Sequence, residues 1–296
     1  MNIEEHVPLS RHTTIGTGGP ARWFACPQTI AELQEALAFA EREGVAATVV
    51  GLGSNLLAAD EGVDGLVLRL GGELAAVTVA DGRVTAGGGA TNAVVLHRAR
   101  DAGLGGFEFA CAIPGTTGGG VWMNAGAYGG DFSQVLERAL VVTAAGSEWL
   151  SPEALGLTYR HSDLRDGQVV AQVELRLTPQ PVDEIKTAIA HFQSQRKAAQ
   201  PTNKRTFGSV FKNPEHELSA GRMLEACGLR GHAIGGACIS PKHANFIENA
   251  GGATSADAIA LIAEARRRAL EQFGVRLEPE VQLVGPIAIP PFPDET

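Results

Sequence analysis

The 296-residue chain has no excess of basic charge: 24 Lys and Arg stand against 33 Asp and Glu, a formal net charge of −9. Nucleic acid held by long-range attraction calls for a basic face, so no such partner is expected, whereas a small anionic ligand held by local donors stays open. Cysteine is scarce. Cys26, Cys111, Cys227 and Cys238 form no CxxC pair and no Cys/His cluster of zinc-finger type, and they read as reduced core thiols. No His/His or His/Glu pair stands at ligand spacing on a helical segment, so no metal is expected. Apolar runs of about 18 residues are missing, and Met1-Asn2-Ile3-Glu4-Glu5-His6 is acidic where a signal peptide is basic. The expectation is a cytoplasmic protein with no membrane partner. No GxGxxG opens a helix after a strand, which speaks against a Rossmann site, and no internal repeat or low-complexity tract occurs.

Glycine, by contrast, is abundant: 37 residues, about 12% against the usual ~7%, implying many tight turns and close backbone approaches. A hydrophobic fraction of 44% with 19% charged residues fits a soluble globular protein, and the length favours two domains. Thr29-Ile30-Ala31-Glu32 reads as a capping box opening a helix that ends near Gly44. A short buried strand over 45–50 then runs into Gly51-Leu52-Gly53-Ser54-Asn55-Leu56-Leu57. A second strand is expected over 66–70, a hairpin around Asp81-Gly82, and a helix after Thr91 that stops near Gly103. Ala171, Val173, Leu175 and Leu177 alternate with polar residues as in a half-buried strand. Pro179 and Pro181 break the chain, Val182, Ile185, Ile189 and Phe192 mark a helix, and a last helix covers 255–273.

Successive amides in a glycine-rich turn bind phosphate oxygens without a cationic side chain. One Gly-x-Gly-Ser-Asn is equally an ordinary turn. A second cluster, Ile113-Pro114-Gly115-Thr116-Thr117-Gly118-Gly119-Gly120 followed by Asn124-Ala125-Gly126-Ala127-Tyr128-Gly129, makes turns alone a poor account. Further on, Gly208-Ser209-Val210-Phe211-Lys212-Asn213-Pro214 packs a hydroxyl, an ammonium and an amide into one short stretch suited to an anionic polar substrate. Arg160 can fork onto a carboxylate, Ser209 can give a proton, Lys212 can stabilise the alkoxide left behind, and Glu280 can act as an acid if burial raises its pKa. Taken singly, Arg160 is equally a surface ion pair, Ser209 a turn hydroxyl, and Glu278 with Glu280 a solvated strand face.

In order and approximate spacing these segments resemble the MurB family of flavin-dependent UDP-N-acetylenolpyruvoylglucosamine reductases. The resemblance runs from Thr13-Thr14 and Gly18-Gly19-Pro20-Ala21 to Glu280-Val281. It takes in Gln200-Pro201, Ser240-Pro241-Lys242-His243-Ala244-Asn245-Phe246 and Asn249. It implies an α+β fold: an FAD-binding domain of the vanillyl-alcohol-oxidase and p-cresol-methylhydroxylase type over 1–181, with two α+β subdomains split near 71–75, then a C-terminal α+β substrate-binding domain over 182–296. It also implies non-covalent FAD at Gly51, Gly53, Ser54, Asn55, Leu56, Pro114, Gly115, Gly118, Gly119, Asn124, Gly126 and Ala127. The catalytic set would be Arg160, Ser209 and Glu280, with substrate contacts at Tyr128, Arg196, Lys212 and Asn213, while His243 and Asn245 either line the cleft or serve structure.

The activity implied is ping-pong reduction of UDP-N-acetylglucosamine enolpyruvate to UDP-N-acetylmuramate for peptidoglycan synthesis, hence for cell shape and division. NADPH is the co-substrate, hydride goes from flavin N5 to the enolpyruvyl methylene, and the proton comes from Ser209; the enzyme would be a monomer. Two departures stand out. The 182–209 segment lacks room for the extra tyrosine loop of one branch, so the chain resembles the shorter type II form, and Cys111 replaces a common glycine. Two readings compete. A flavin oxidase of the same fold would use oxygen and often a covalent flavin, but the 51–57 loop holds no His or Cys. A non-catalytic nucleotide-sugar-binding protein would have no use for a proton donor.

Overall fold

The computed structural model describes residues 1–292, which form two compact units. One comprises Met1–Glu5, Trp23–Leu52 and Asp64–Arg196; the other comprises His6–Arg22, Gly53–Val63 and the chain from Lys197 on. This partition differs from the linear division expected at 181/182, because Ile15 and Leu57, far upstream, are buried in the core of the second unit. No helix among the described residues is long and apolar enough to cross a membrane.

In the first unit, helix α1 (Ile30–Glu43) starts at Thr29, whose side chain accepts from the Glu32 amide, and stops at Gly44 in the left-handed region. The expected capping box closes only halfway: the Glu32 carboxylate takes the amide of Gln28, not that of Thr29. Helices α2 (Asn92–Asp101) and α3 (Thr117–Trp122) are capped by the hydroxyls of Thr91 and Thr116. The longest helix of the unit, α4 (Val182–Ala199), buries Ile185 and Ile189. Asp81 and Gly82 both have positive φ between paired Ala80 and Arg83, the hairpin turn their sequence predicts.

An antiparallel sheet in the order Gly146–Leu150, Leu136–Thr143, Val169–Arg176, Arg83–Gly87, Val77–Ala80 is the wall shared by two cores. Leu140, Val142, Val169 and Ala171 pack with Leu33 and Leu37 of α1. Ala139, Val141, Val170 and Val173 pack with Val95, Phe107 and Phe132 on the other side. The expected alternation of buried with less buried residues holds from Ala171 to Arg176, but the strand changes face here. Leu140 pairs with Gln172 but Val141 with Val170, so Ala171 is an extra residue in its strand. A bulge of this kind flips the following side chains to the other face, and Ala171 joins a different core from Val173 and Leu175.

The second unit has the antiparallel order Thr206–Ser209, Phe246–Asn249, Ala237–Ile239, Ala233–Ile234, and a parallel pair, Leu56–Ala58 with Gln282–Val284. Its core collects Phe207, Phe211, Met223 and Leu224 from helix α5 (Ala220–Ala226), and Leu261 and Ile262 from helix α6 (Ser255–Phe273). The start of α6 is doubly secured. Thr254 and Asp257 form a capping box, and the Asp60 carboxylate accepts the amides of Ser255 and Ala256, a favourable use of a helix N-terminus.

The cysteines depart from expectation. All four are free, but only Cys227 is buried, while Cys26, placed just after the strand Pro20–Ala25, is exposed. Phe107, Phe109 and Phe132 form an aromatic trio whose rings meet edge to face at centroid distances of 5.4, 5.5 and 6.2 Å. Phe132 also lies against Gly120 of α3, where a Cβ would overlap its ring. Phe132→Ala should therefore cost about 3–5 kcal/mol of stability, measured by urea denaturation.

Candidate active site

Several glycines named from the sequence answer first to the protein's own packing. Gly53 has φ +65°, and a Cβ there would overlap the His12 carbonyl oxygen. A Cβ on Gly118 would come within 2.9 Å of the Gly88 oxygen and 3.0 Å of the Val170 oxygen, so this glycine lets α3 sit directly on the sheet. Gly126 faces the Gly130 oxygen at 2.6 Å in the same sense. Gly119 is different, with only the Thr116 hydroxyl near its Cβ position, at 3.6 Å.

Gly51 lies in a cleft of about 280 Å³ lined by Val50, Leu52, Leu70, Gly88, Thr91 and Thr116, among others. A Cβ on Gly51 would meet the Thr116 hydroxyl at 2.6 Å. The amides of Gly51 and Leu52 donate to no acceptor among the described residues. Apolar walls beside two uncommitted N–H groups suit an aromatic ring and a phosphate oxygen. The volume is at the lower end of the ~300–1,000 Å³ of small-molecule sites, so the cleft fits part of a flavin dinucleotide. Across from it, Asn92 grips the second glycine loop on both sides of Pro114: its amide donates to Gly115 O at 3.0 Å and its Nδ2 to Ile113 O at 3.1 Å. Asn92 went unnamed in the sequence because it reads only as a helix-start residue.

Arg160 is the second central residue of a two-residue hairpin closed by Thr158 and His161, which exchange backbone hydrogen bonds at 3.1 and 3.2 Å. Its φ is +55°, and its guanidinium lies 5.0 Å from the Tyr159 ring centre. Nη2 donates to the Gly126 carbonyl at 2.6 Å. The five described non-glycine residues with positive φ are His6, Asp81, Asn124, Tyr128 and Arg160, and three of them, Asn124, Tyr128 and Arg160, are site candidates named from the sequence. Tyr128 with Gly129 forms the tight turn between paired Ala127 and Gly130. Its ring stacks on Phe192 of α4 at 4.7 Å and 3°. Burial pushes the Tyr128 hydroxyl up, Cys111 adds to this and Arg196 opposes it. Burial pulls the Arg196 guanidinium down, with Tyr128 and Cys111 opposing. A half-desolvated arginine of this kind is a good seat for an anion.

In the second unit Gly208, at φ +84°, occupies a bulge: Thr206 pairs with Glu248 while Ser209 pairs with Phe246. Bulges re-aim side chains next to active sites. The half-buried Ser209 hydroxyl makes no hydrogen bond among the described residues, so it is not the local turn hydroxyl it was equally read as. Beyond it, Asn245 clamps Phe211 from both sides, accepting its amide at 3.0 Å and donating to its carbonyl at 2.9 Å. The same stretch pairs with 278–280: Lys212 N donates to Glu278 O and Glu280 N to Val210 O. The Glu280 carbonyl in turn accepts Asn55 Nδ2 at 3.1 Å, and Asn55 O accepts the Gln282 amide where Leu56 begins its strand. Asn55 and Glu280 are thus bonded to each other and to Val210, the residue after Ser209, and Ser54 O would lie 3.1 Å from a Cβ placed on Gly208.

Lys212 donates to Glu278 Oε1 at 2.6 Å across that pairing, with Glu278 largely exposed; such a pair is worth only ~0–1 kcal/mol and yields readily to a phosphate. Asn213 Oδ1 accepts the Ala220 amide at the start of α5. His243 has partners within the protein. Its Nδ1 accepts the Asn245 amide at 3.2 Å, its ring meets Phe246 edge-on at 5.0 Å and Gly221 packs on it. No group of three His, Cys, Asp or Glu among the described residues is placed to hold a metal ion.

Residues 21–150 match the FAD binding domain family, and residues 200–284 match the C-terminal domain of UDP-N-acetylenolpyruvoylglucosamine reductase. The chain is 44% identical to UDP-N-acetylenolpyruvoylglucosamine reductase 2 of Symbiobacterium thermophilum, covering 96% of this chain and 92% of the relative. It is 40% identical to the Bacillus licheniformis reductase over 96% and 94%. The crystal structure of UDP-N-acetylenolpyruvylglucosamine reductase (MurB) from Thermus caldophilus superposes with a TM-score of 0.84 at 37% identity, covering 96% of this chain and 99% of that one.

Burial and Arg230 hold the His243 imidazole below its ordinary value of 6.5, so the unfolded chain binds a proton there before the folded one does. Stability should be full above pH 6.5 and fall as the pH drops below it. Denaturation between about pH 5 and 8 checks this, and His243→Asn, which keeps an acceptor for the Asn245 amide, should flatten the decline.

Proposed function

Because the chain belongs to the UDP-N-acetylenolpyruvoylglucosamine reductase (MurB) family and carries its FAD-binding and C-terminal domains, we propose that it reduces UDP-N-acetylglucosamine enolpyruvate to UDP-N-acetylmuramate with NADPH, working as a cytoplasmic monomer. The product is a peptidoglycan precursor. FAD held in part by the cleft of Gly51 and Leu52 would supply the hydride chemistry between NADPH and the enolpyruvyl methylene carbon. The observation that carries the reading is the Ser209 hydroxyl: next to a glycine bulge, half-buried and bonded to no described residue, it is left available to give a proton.

Saturating the enolpyruvyl double bond takes one hydride and one proton. Ser209 Oγ–H gives the proton to the carbon next to the methylene, and solvent returns one to the alkoxide. Negative charge on the substrate carboxylate grows as the double bond is attacked. The permanent charge of Arg160, fixed by its hairpin and by Gly126, lowers the energy of that enolate without reorganising, and Glu280 assists at the same group. The cleft walls with the Gly51 and Leu52 amides hold part of the cofactor. Arg196, Tyr128, Lys212 and Asn213 orient the nucleotide diphosphate and sugar.

The test is a visible spectrum of the purified protein under anaerobic conditions, bleached with NADPH and then given UDP-N-acetylglucosamine enolpyruvate. Return of the oxidised flavin band with the substrate alone is expected. A band that recovers only in air marks an oxidase, and a protein that remains colourless with added FAD marks a binder without turnover. Ser209→Ala should keep flavin reduction by NADPH and lose reoxidation by substrate by about 10²-fold or more; equal loss of both half-reactions removes the proton-donor role. Arg160→Lys should lower turnover strongly, since a point charge does not replace a planar fork, and normal turnover would take Arg160 out of the mechanism.

A further inference from the structure

Asn124 stands in the segment that the sequence relates to the cofactor, yet its side chain is committed elsewhere. Nδ2 donates to the carbonyl of Thr158 at 2.9 Å, and Oδ1 accepts the Ser133 amide at 2.9 Å. Thr158 is the first residue of the hairpin that carries Arg160. The residue after that hairpin is fixed from the same direction: Ser162 Oγ donates to the Trp122 carbonyl at 2.7 Å. The guanidinium itself is fixed by the Gly126 carbonyl. Three hydrogen bonds from 122–126 thus reach the beginning, the tip and the end of a five-residue stretch, 158–162. Asn124 and Ser162 are both buried, at 2% and 7% exposure, which limits the water that competes for their side-chain bonds.

Arg160 needs this support. A non-glycine residue at φ +55° sits in a backbone region that persists only where its surroundings over-determine it, and Tyr159 beside it is exposed. Asn124 is itself held at φ +37°, a conformation that asparagine and aspartate tolerate better than other residues with side chains. Asparagine is therefore a residue able both to adopt this backbone and to present one donor and one acceptor in opposite senses.

We infer that Asn124 is a positioning residue for the reaction: it holds the Arg160 hairpin at the geometry the substrate carboxylate requires. The inference rests on the reading of Arg160 given above. Asn124→Asp separates the two bonds, because the carboxylate still accepts from Ser133 and still tolerates the left-handed backbone, while the donor to Thr158 is gone. FAD affinity, read by flavin fluorescence, and flavin reduction by NADPH should stay close to those of the unaltered protein. Reoxidation by UDP-N-acetylglucosamine enolpyruvate should slow by about 10–100-fold, the scale of a displaced catalytic group, as a fall in kcat with a smaller change in KM.

The deciding measurement is the double-mutant cycle with Arg160→Ala. If Asn124 acts through Arg160, adding Asn124→Asp to Arg160→Ala costs little more than Arg160→Ala alone. Losses that multiply, or an Asn124→Asp variant that fails equally in the NADPH step, overturn the inference while leaving Arg160 in place. A neutral Arg160→Ala overturns the reading of Arg160 itself. Should Asn124→Asp not fold, Ser162→Ala loosens the other end of the hairpin and should impair the same half-reaction, with the same dependence on Arg160; an unimpaired half-reaction overturns the inference.

Discussion

Side-chain amides standing in for strand and helix hydrogen bonds are the interaction on which this structure turns. The functional segments are irregular loops, and a buried loop must still satisfy its backbone N–H and C=O groups. Here asparagine does so across long stretches of chain. Asn55 bonds Glu280, Asn92 bonds Ile113, Asn124 bonds Thr158, Asn245 bonds Phe211 and Asn249 bonds Ile15. Each amide offers donor and acceptor in one rigid group, so a loop can be fixed at a point where no strand continues. Removing Asn245 leaves the buried Phe211 carbonyl unpaired, costing about 1–3 kcal/mol.

Around these clamps the glycines divide by task. Gly53, Gly118 and Gly126 admit neighbouring backbone that a Cβ would exclude, and Gly208 adopts the positive φ of a bulge. Gly51 alone among the cofactor candidates combines a cleft position with an amide that has no partner among the described residues. The abundance of glycine is thus mainly a requirement of close packing between loops and sheet, and the ligand-facing share is smaller than composition implies.

Strain and exposure are placed where chemistry is proposed. Asn124, Tyr128 and Arg160 hold left-handed backbone without being glycine, and Tyr128 and Tyr159 are among the few large hydrophobic side chains left exposed. The supporting cores are apolar and filled: the Phe107, Phe109 and Phe132 trio in one unit, and Phe207 and Phe211 with the helices of the other. Rigid packing behind a strained surface turn is what keeps such a turn from relaxing.

How much of this was legible in advance follows the range of the forces involved. The sequence by itself determined the local features: the Thr29 and Thr91 caps, the Asp81-Gly82 hairpin, the α6 span from Ser255 to Phe273 and the α+β class, because capping, turn chemistry and periodicity act within a few residues. Motif order also carried the family and the FAD-binding domain, confirmed by 44% identity to a reductase across nearly the whole chain. Tertiary structure alone decided that Ala171 is an extra residue in its strand, that Ile15 and Leu57 are buried with the C-terminal core, that Cys26 is exposed, and that Asn124 and Asn245 serve as clamps. These depend on hydrogen bonds and contacts between residues tens to hundreds of positions apart, whose partners no local pattern specifies.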